Sequence, residues 1–173
     1  MFNILFCCHG NICRSPMAEF ALREMVKNFG IDSQFCIASA ATSQEELGNG
    51  VYPPVKKLLS SLGIDSSGKH ARQIKRTDFS EYDLIILMEE YNRTNLLKLY
   101  PDAPSDKISL LLDYTDRKGD IDDPWYTGEF KRSFDEIVYG LCGLLLCLNK
   151  DRGLKLSANL LEKLQTPEKI FSD

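Results

Sequence analysis

Short apolar runs alternate along this chain with stretches whose apolar residues recur at helical spacing. Ile4-Leu5-Phe6-Cys7 is the first run, and its length reads as a buried strand. Phe35-Cys36-Ile37-Ala38 is a second short strand, and Lys107-Ile108-Ser109-Leu110-Leu111 a fourth. Between them, Leu84-Ile85-Ile86-Leu87-Met88 sets five apolar residues in succession, as expected of a strand covered on both faces. A helix is predicted over 15–29, with Met17, Phe20, Ala21 and Met25 facing inward and Gly30 ending it. Further helices are predicted over 55–62, after Pro53-Pro54 and up to Gly63, and over 92–100, halted by Pro101. The longest runs over 130–149, with Phe134, Ile137, Val138, Leu141, Leu144, Leu145 and Leu148 on one broad apolar face. A last helix is predicted over 157–165, with Leu160, Leu161 and Leu164 as its stripe.

This alternation predicts an α/β fold: one parallel sheet of four strands with helices on both faces. Ligands of such sheets bind outside the strand C-termini, at the topological switch point. The segment from Cys8 to Ser15 falls just past the end of the first strand. At 173 residues the chain has about one domain's length. Its net charge of −4 gives no reason to expect nucleic acid or an anionic membrane surface as partner, so an anion site must be local. No signal-peptide pattern opens the sequence, and the apolar stretch from Ile137 to Leu148 is too short to span a bilayer. A cytoplasmic setting is expected, with the six cysteines as thiols.

The candidate chemistry lies in Cys8-His9-Gly10-Asn11-Ile12-Cys13-Arg14-Ser15-Pro16. Pro16 and the residues after it read as a helix opening, with Ser15 as N-cap. A turn between a strand end and a helix start gathers backbone N–H groups and the positive end of the helix dipole into one small volume. Gly10 is free to take positive φ, and Asn11 tolerates the left-handed region. Arg14 adds a planar fork of donors suited to phosphoryl oxygens. These groups favour thiolate over thiol at Cys8. Taken alone, Cys8 reads first as a buried core thiol, the commonest fate of a free cysteine. With Arg14 and Ser15 in register it reads as a nucleophile facing a bound phosphate.

Cys8-x5-Arg14-Ser15-Pro16 at the start of the chain, with Asp122-Asp123-Pro124-Trp125-Tyr126 far downstream, resembles the low-molecular-weight protein tyrosine phosphatases. The resemblance covers roughly 1–150, expected as the phosphatase domain. Residues 151–173 are expected as a C-terminal extension, one helix packed on the same domain. The resemblance implies a flavodoxin-like strand order 2-1-3-4 and hydrolysis of phosphotyrosine in proteins through a cysteinyl-phosphate, with no metal or organic cofactor. It implies Cys8 as nucleophile, Arg14 and the loop amides of His9, Gly10, Asn11, Ile12, Cys13 and Ser15 as phosphate binders, and a Ser15 hydroxyl bonded to the sulfur. It also pairs Asn11 with Ser39 as loop scaffold. Asp123 is the expected general acid and base, since it directly precedes Pro124; Asp122 is its rival. Ile12, Glu45, Trp125 and Tyr126 are expected around the substrate ring.

Some residues depart from the pattern or point elsewhere. His9 stands where an apolar residue is usual, and either touches substrate or faces water. Gln44-Glu45-Glu46 stands where an aromatic is common on the pocket rim, and its acidic residues would repel acidic phosphopeptides. A related branch, the arginine phosphatases, carries threonine where this chain has Ile12, so Ile12 fits the tyrosine branch. Arsenate reductases share the loop but need further cysteines after the third strand, where this chain has Glu89-Glu90-Tyr91. A non-enzymatic phosphoprotein-binding module is the remaining alternative. Cys13, five residues from Cys8, is either filler or a partner that traps oxidised Cys8 as a disulfide. Cys142 and Cys147 read as core, Arg72 as part of an ion-pair cluster, and the two histidines are not read as metal ligands.

Overall fold

The computed structural model describes residues 1–171. Its strands are β1 (Phe2–Cys8), β2 (Phe35–Ala41), β3 (Leu84–Leu87) and β4 (Ile108–Leu110). They form one sheet in the order β2-β1-β3-β4, all neighbours parallel. That is the expected order, with β1 at the switch point. The helices are α1 (Arg14–Asn28), α2 (Pro53–Ser61), α3 (Asp78–Glu81), α4 (Glu90–Leu99), α5 (Pro124–Thr127), α6 (Phe130–Asp151) and α7 (Ala158–Lys163).

Successive β1 side chains point to opposite faces, and the core divides accordingly. Ile4, Phe6 and Cys8 pack with Met17 and Leu22 of α1, Val55 and Leu59 of α2, and the apolar face of α6. Leu5 and Cys7 pack on the other side with Ile74, Leu96 of α4 and Leu110. Helices therefore cover both faces. Phe134, Ile137, Leu141, Leu144, Leu145 and Leu148 of α6 are all fully buried, each contributing roughly 1.5–3 kcal/mol of gross burial. Two glycines let α6 approach closely. A Cβ on Gly140 would lie 2.5 Å from Leu111 Cγ, and one on Gly143 2.3 Å from Tyr114 O. The helix thus grips the turn that leaves β4, and fixes where the following segment, residues 115–128, starts.

Several expected boundaries shift for physical reasons. Ser15 is not the N-cap of α1; that position is Cys13, without a side-chain cap, and Ser15 lies within the helix. Its hydroxyl has other partners, described below. Gly10 does not take positive φ; Asn11 does, at 58°. Gly10 serves by lacking a side chain, since a Cβ there would meet Glu46 Cγ at 3.0 Å. Strand β2 continues past the expected Ala38 through Ser39 to Ala41 because each of these pairs with β1. Helix α2 takes both prolines into its first turn, where missing N–H groups cost nothing. Helix α7 is shorter than expected, with Ser157 Oγ capping Leu160 N–H. Cys147 is partly exposed rather than core. No periodicity announced α3 or α5, which have four residues each.

Candidate active site

The loop between β1 and α1 is fixed from outside by its carbonyls. Cys8 O accepts from Thr42 N–H at 2.9 Å, His9 O from Ser43 N–H at 3.1 Å and Ile12 O from Tyr52 N–H at 3.0 Å. With those carbonyls engaged, the amides are left over. Asn11 N–H points to Cys8 Sγ at 3.3 Å. Among the described residues nothing accepts from the N–H groups of Gly10, Ile12 or Cys13. Orphan amides at a helix start are an anion cradle.

Asn11 holds the turn. Its Nδ2 donates to Ser15 Oγ at 2.9 Å and to Ser39 Oγ at 2.7 Å, and its Oδ1 accepts from Arg72 N–H at 3.2 Å. This triple use locks a left-handed backbone that is costly for most residues. Ser39 in turn donates to Glu19, a buried carboxylate also paired with Arg23 at 2.7 Å and Lys69 at 2.8 Å. Ser15 Oγ accepts from Asn11 and lies 3.0 Å from Cys8 Sγ, with Ala40 O as a longer acceptor for its hydrogen at 3.5 Å. The sulfur is thus met by one hydroxyl and one amide.

Arg14 is 1 % exposed and filled on one side. Its Nη1 donates to Ile121 O at 2.9 Å, and its Nη2 to Glu89 Oε1 and Asp123 Oδ2, each at 2.6 Å. Burial alone would lower its pKa, but the Cys8 sulfur, the Glu89 hydrogen bond and the Asp123 charge outweigh burial and raise it. Arg14 Nε is buried with no partner among the described residues. A buried unpaired donor in such a place calls for an acceptor. Asp123 is also the N-cap of α5, its Oδ1 accepting from Trp125 N–H at 3.0 Å. Its backbone is set by neighbours: Ile121 N–H donates to Met88 O at 2.8 Å, and Ser133 Oγ to Asp122 O at 3.1 Å. Asp122 is exposed and does not line the cavity.

Cys8, Arg14 and Asp123 line one cavity of about 150 Å³ with His9, Gly10, Ile12, Cys13, Glu45, Glu46, Trp125 and Tyr126. Trp125 leans on Tyr52 at 4.7 Å between ring centroids. Burial pushes the Cys13 thiol well up, with the nearby Cys8 sulfur adding to it. His9 meets Glu45 rather than open water, with 2.9 Å between Nε2 and Oε2. Arg72 forms its expected ion pair, a two-pronged contact with Asp78. Ile12, Glu45, Trp125 and Tyr126 are brought together; Ser39 sits behind Asn11, out of the cavity.

Sequence reading missed four contributors. Glu89, Glu19, Tyr52 and the carbonyl of Ile121 reach the site only through folding, and no local pattern marks them. The one available signal was the polar pair Glu89-Glu90 directly after an apolar strand.

A sheet with a cysteine-arginine anion cup at the end of its first inner strand is the plan of a cysteine-dependent phosphatase. The family model described as "Low molecular weight phosphotyrosine protein phosphatase" matches residues 3–154. The low-molecular-weight protein-tyrosine-phosphatase YfkJ of Bacillus subtilis is 33 % identical over 156 residues, covering 89 % of this chain and 100 % of its own. The low-molecular-weight phosphotyrosine protein phosphatase of Saccharomyces cerevisiae is 34 % identical, covering 79 % and 89 %. The crystal structure of YfkJ superimposes with a TM-score of 0.82 at 34 % identity, covering 88 % of this chain and 97 % of that one. The chain belongs to the low-molecular-weight protein tyrosine phosphatase family. It is a hydrolase acting on phosphotyrosine in proteins.

Proposed function

We propose that Cys8 is the nucleophile of this hydrolysis, Arg14 and the loop amides its phosphate clamp, and Asp123 its acid and base. The observation that carries this reading is the single cavity in which the Cys8 sulfur faces Arg14 and Asp123 with unpaired amides around it. In the first step the Cys8 thiolate attacks phosphorus and the tyrosine oxygen leaves, taking the proton of Asp123. In the second, water attacks the cysteinyl-phosphate, gives a proton to the Asp123 carboxylate, and Cys8 leaves as thiolate. Ser15 O–H and Asn11 N–H stabilise that leaving sulfur. Arg14 and the amides hold the equatorial oxygens throughout. The transferring group needs no metal in this scheme.

Asp123 Oδ2 accepts from Arg14 Nη2 at 2.6 Å. A bound phosphoryl group competes for that donor, so Asp123 is released toward the leaving oxygen. Ile12, Trp125 and Tyr126 receive the phenyl ring. Residues 1–150 form the phosphatase domain and 151–171 an extension on it; Leu154 and Leu164, buried in the same core, support this, and the last two residues of the expected extension lie outside the described residues. A peroxide oxidises Cys8 to a sulfenic acid and is itself reduced to water or an alcohol; the Cys13 thiol then condenses with the sulfenic acid, giving a disulfide and water, and their shared cavity supports this. The protein works in the cytoplasm, without nucleic acid or membrane. Among the described residues no helix is long and apolar enough to cross a bilayer.

The test is hydrolysis of an aryl phosphate by Cys8→Ser and Asp123→Asn. Cys8→Ser is expected to be inert, and Asp123→Asn to lose about 10²–10³ in kcat with leaving groups of high pKa and far less with nitrophenolate. Undiminished turnover by Cys8→Ser would end this assignment.

A further inference from the structure

The floor of the cavity is positive and its lip is negative. Arg14 is the one Lys or Arg among the lining residues, whereas Glu45, Glu46 and Asp123 contribute carboxylates. The two glutamates are held in place. A carboxylate only accepts, so His9 Nε2 donates the 2.9 Å contact to Glu45. The His9 ring also stacks on Tyr91 at 6.0 Å, and the His9 main chain is tied to Ser43. Glu46 Oε2 accepts from Asn49 Nδ2 at 2.6 Å, and its stem lies over Gly10. Glu45 still exposes 70 % of its side chain, so its charge faces arriving ligands. Tyr91, on the far side of His9, is more than half exposed.

We propose that Glu45 and Glu46 select phosphotyrosines flanked by lysine or arginine. The inference rests on the phosphatase reading above and deepens it. A phosphoryl dianion moving toward Arg14 passes two fixed negative charges, with no exposed Lys or Arg in the cavity wall to offset them. A neighbouring residue of the substrate has its Cα about 3.8 Å along the chain, and so lies at the lip once the phosphate reaches the floor. A cationic side chain there meets Glu45 and Glu46, and the face of Tyr91 offers a guanidinium a cation–π contact. An acidic side chain there adds repulsion. Rim charges of this kind govern encounter and its salt dependence, so the selection acts on kcat/KM and leaves kcat nearly level.

Two matched phosphotyrosine peptides test this, one with arginine and the other with glutamate on both sides of the phosphotyrosine. The arginine peptide is expected to have about tenfold higher kcat/KM at low ionic strength, the scale of a few exposed charge pairs. The ratio is expected to shrink to about twofold near 1 M salt, where screening reaches about 3 Å. Glu45→Gln combined with Glu46→Gln brings the ratio close to one, and Glu45→Lys reverses it. Equal kcat/KM for the two peptides in the wild type, or a ratio that survives in the double variant, overturns the inference alone. No phosphate release from either peptide overturns the phosphatase reading and the inference with it.

Discussion

At the floor of the cavity Asn11, Arg14 and Ser15 are all but fully buried, and Asn11 spends each of its amide groups on a named partner. At the rim, Trp125 and Tyr126 are 50 % and 83 % exposed. The rim's acid, Asp123, is held by a four-residue helix and one guanidinium. The floor must present donors in one geometry before any anion arrives, which requires over-determined contacts in a place water does not reach. The rim must admit a ring, release it and move a proton, and few buried contacts hold it. The covalent step is placed where buried contacts are densest, and the ring is received where exposure is greatest.

Substitutions that trade one region against the other test this contrast. The largest effect is expected for Arg14→Lys, which keeps the charge and loses the fork. It should cost about 10²–10³ in kcat/KM for an aryl phosphate, measured alongside inhibition by inorganic phosphate, which should weaken in parallel. Next comes Asn11→Ala. It leaves Ser39 and Ser15 short of a donor and places alanine at positive φ, so a stability loss of about 1–3 kcal/mol is expected by urea unfolding. Activity should fall with it. By contrast, Trp125→Ala at the rim should raise KM for phosphotyrosine peptides several-fold while stability stays within about 0.5 kcal/mol. A large loss of stability in Trp125→Ala, or none in Asn11→Ala, would break the comparison.

How legible these two regions were in the sequence follows from the range of the contacts involved. The runs of β1 and β3 marked strands because both their faces are buried, while those of β2 and β4 were readable although Cys36 is exposed and Ser109 half-buried; the apolar spacing along 130–149 marked α6 because that face is buried. The loop from Cys8 to Ser15 was readable as one turn because its members lie within eight residues. Glu89 and Ile121, which grip Arg14, stand 75 and 107 positions away and become neighbours only through the sheet register and the packing of α6. Ser15 was half readable. The contact of its hydroxyl with the Cys8 sulfur is present as expected, but the N-cap position falls to Cys13 because α1 starts at Arg14. Gly10 misled because glycine answers two different needs, positive φ and close approach, and the sequence does not separate them.

A smaller effect concerns the buried thiols. Burial holds the Cys142 thiol at about 12, against an ordinary 9.0, and pushes Cys7 and Cys13 up as well. The neutral thiol is the form the folded state favours. Unfolded chains lose these protons first as pH rises, so this stability is whole below about pH 9 and drains away between 9 and 12. The melting temperature should therefore decline above pH 9, and Cys142→Val should flatten part of that decline.

The central claim is that the buried floor carries the covalent step, and quenched-flow mass spectrometry of Asp123→Ala during turnover of an aryl phosphate tests it directly. Slowed release should let phosphate accumulate on the peptide that carries Cys8, acid-stable long enough to be located, and Cys8→Ser should show none. Phosphate on any other residue, or steady turnover by Cys8→Ser, would contradict it.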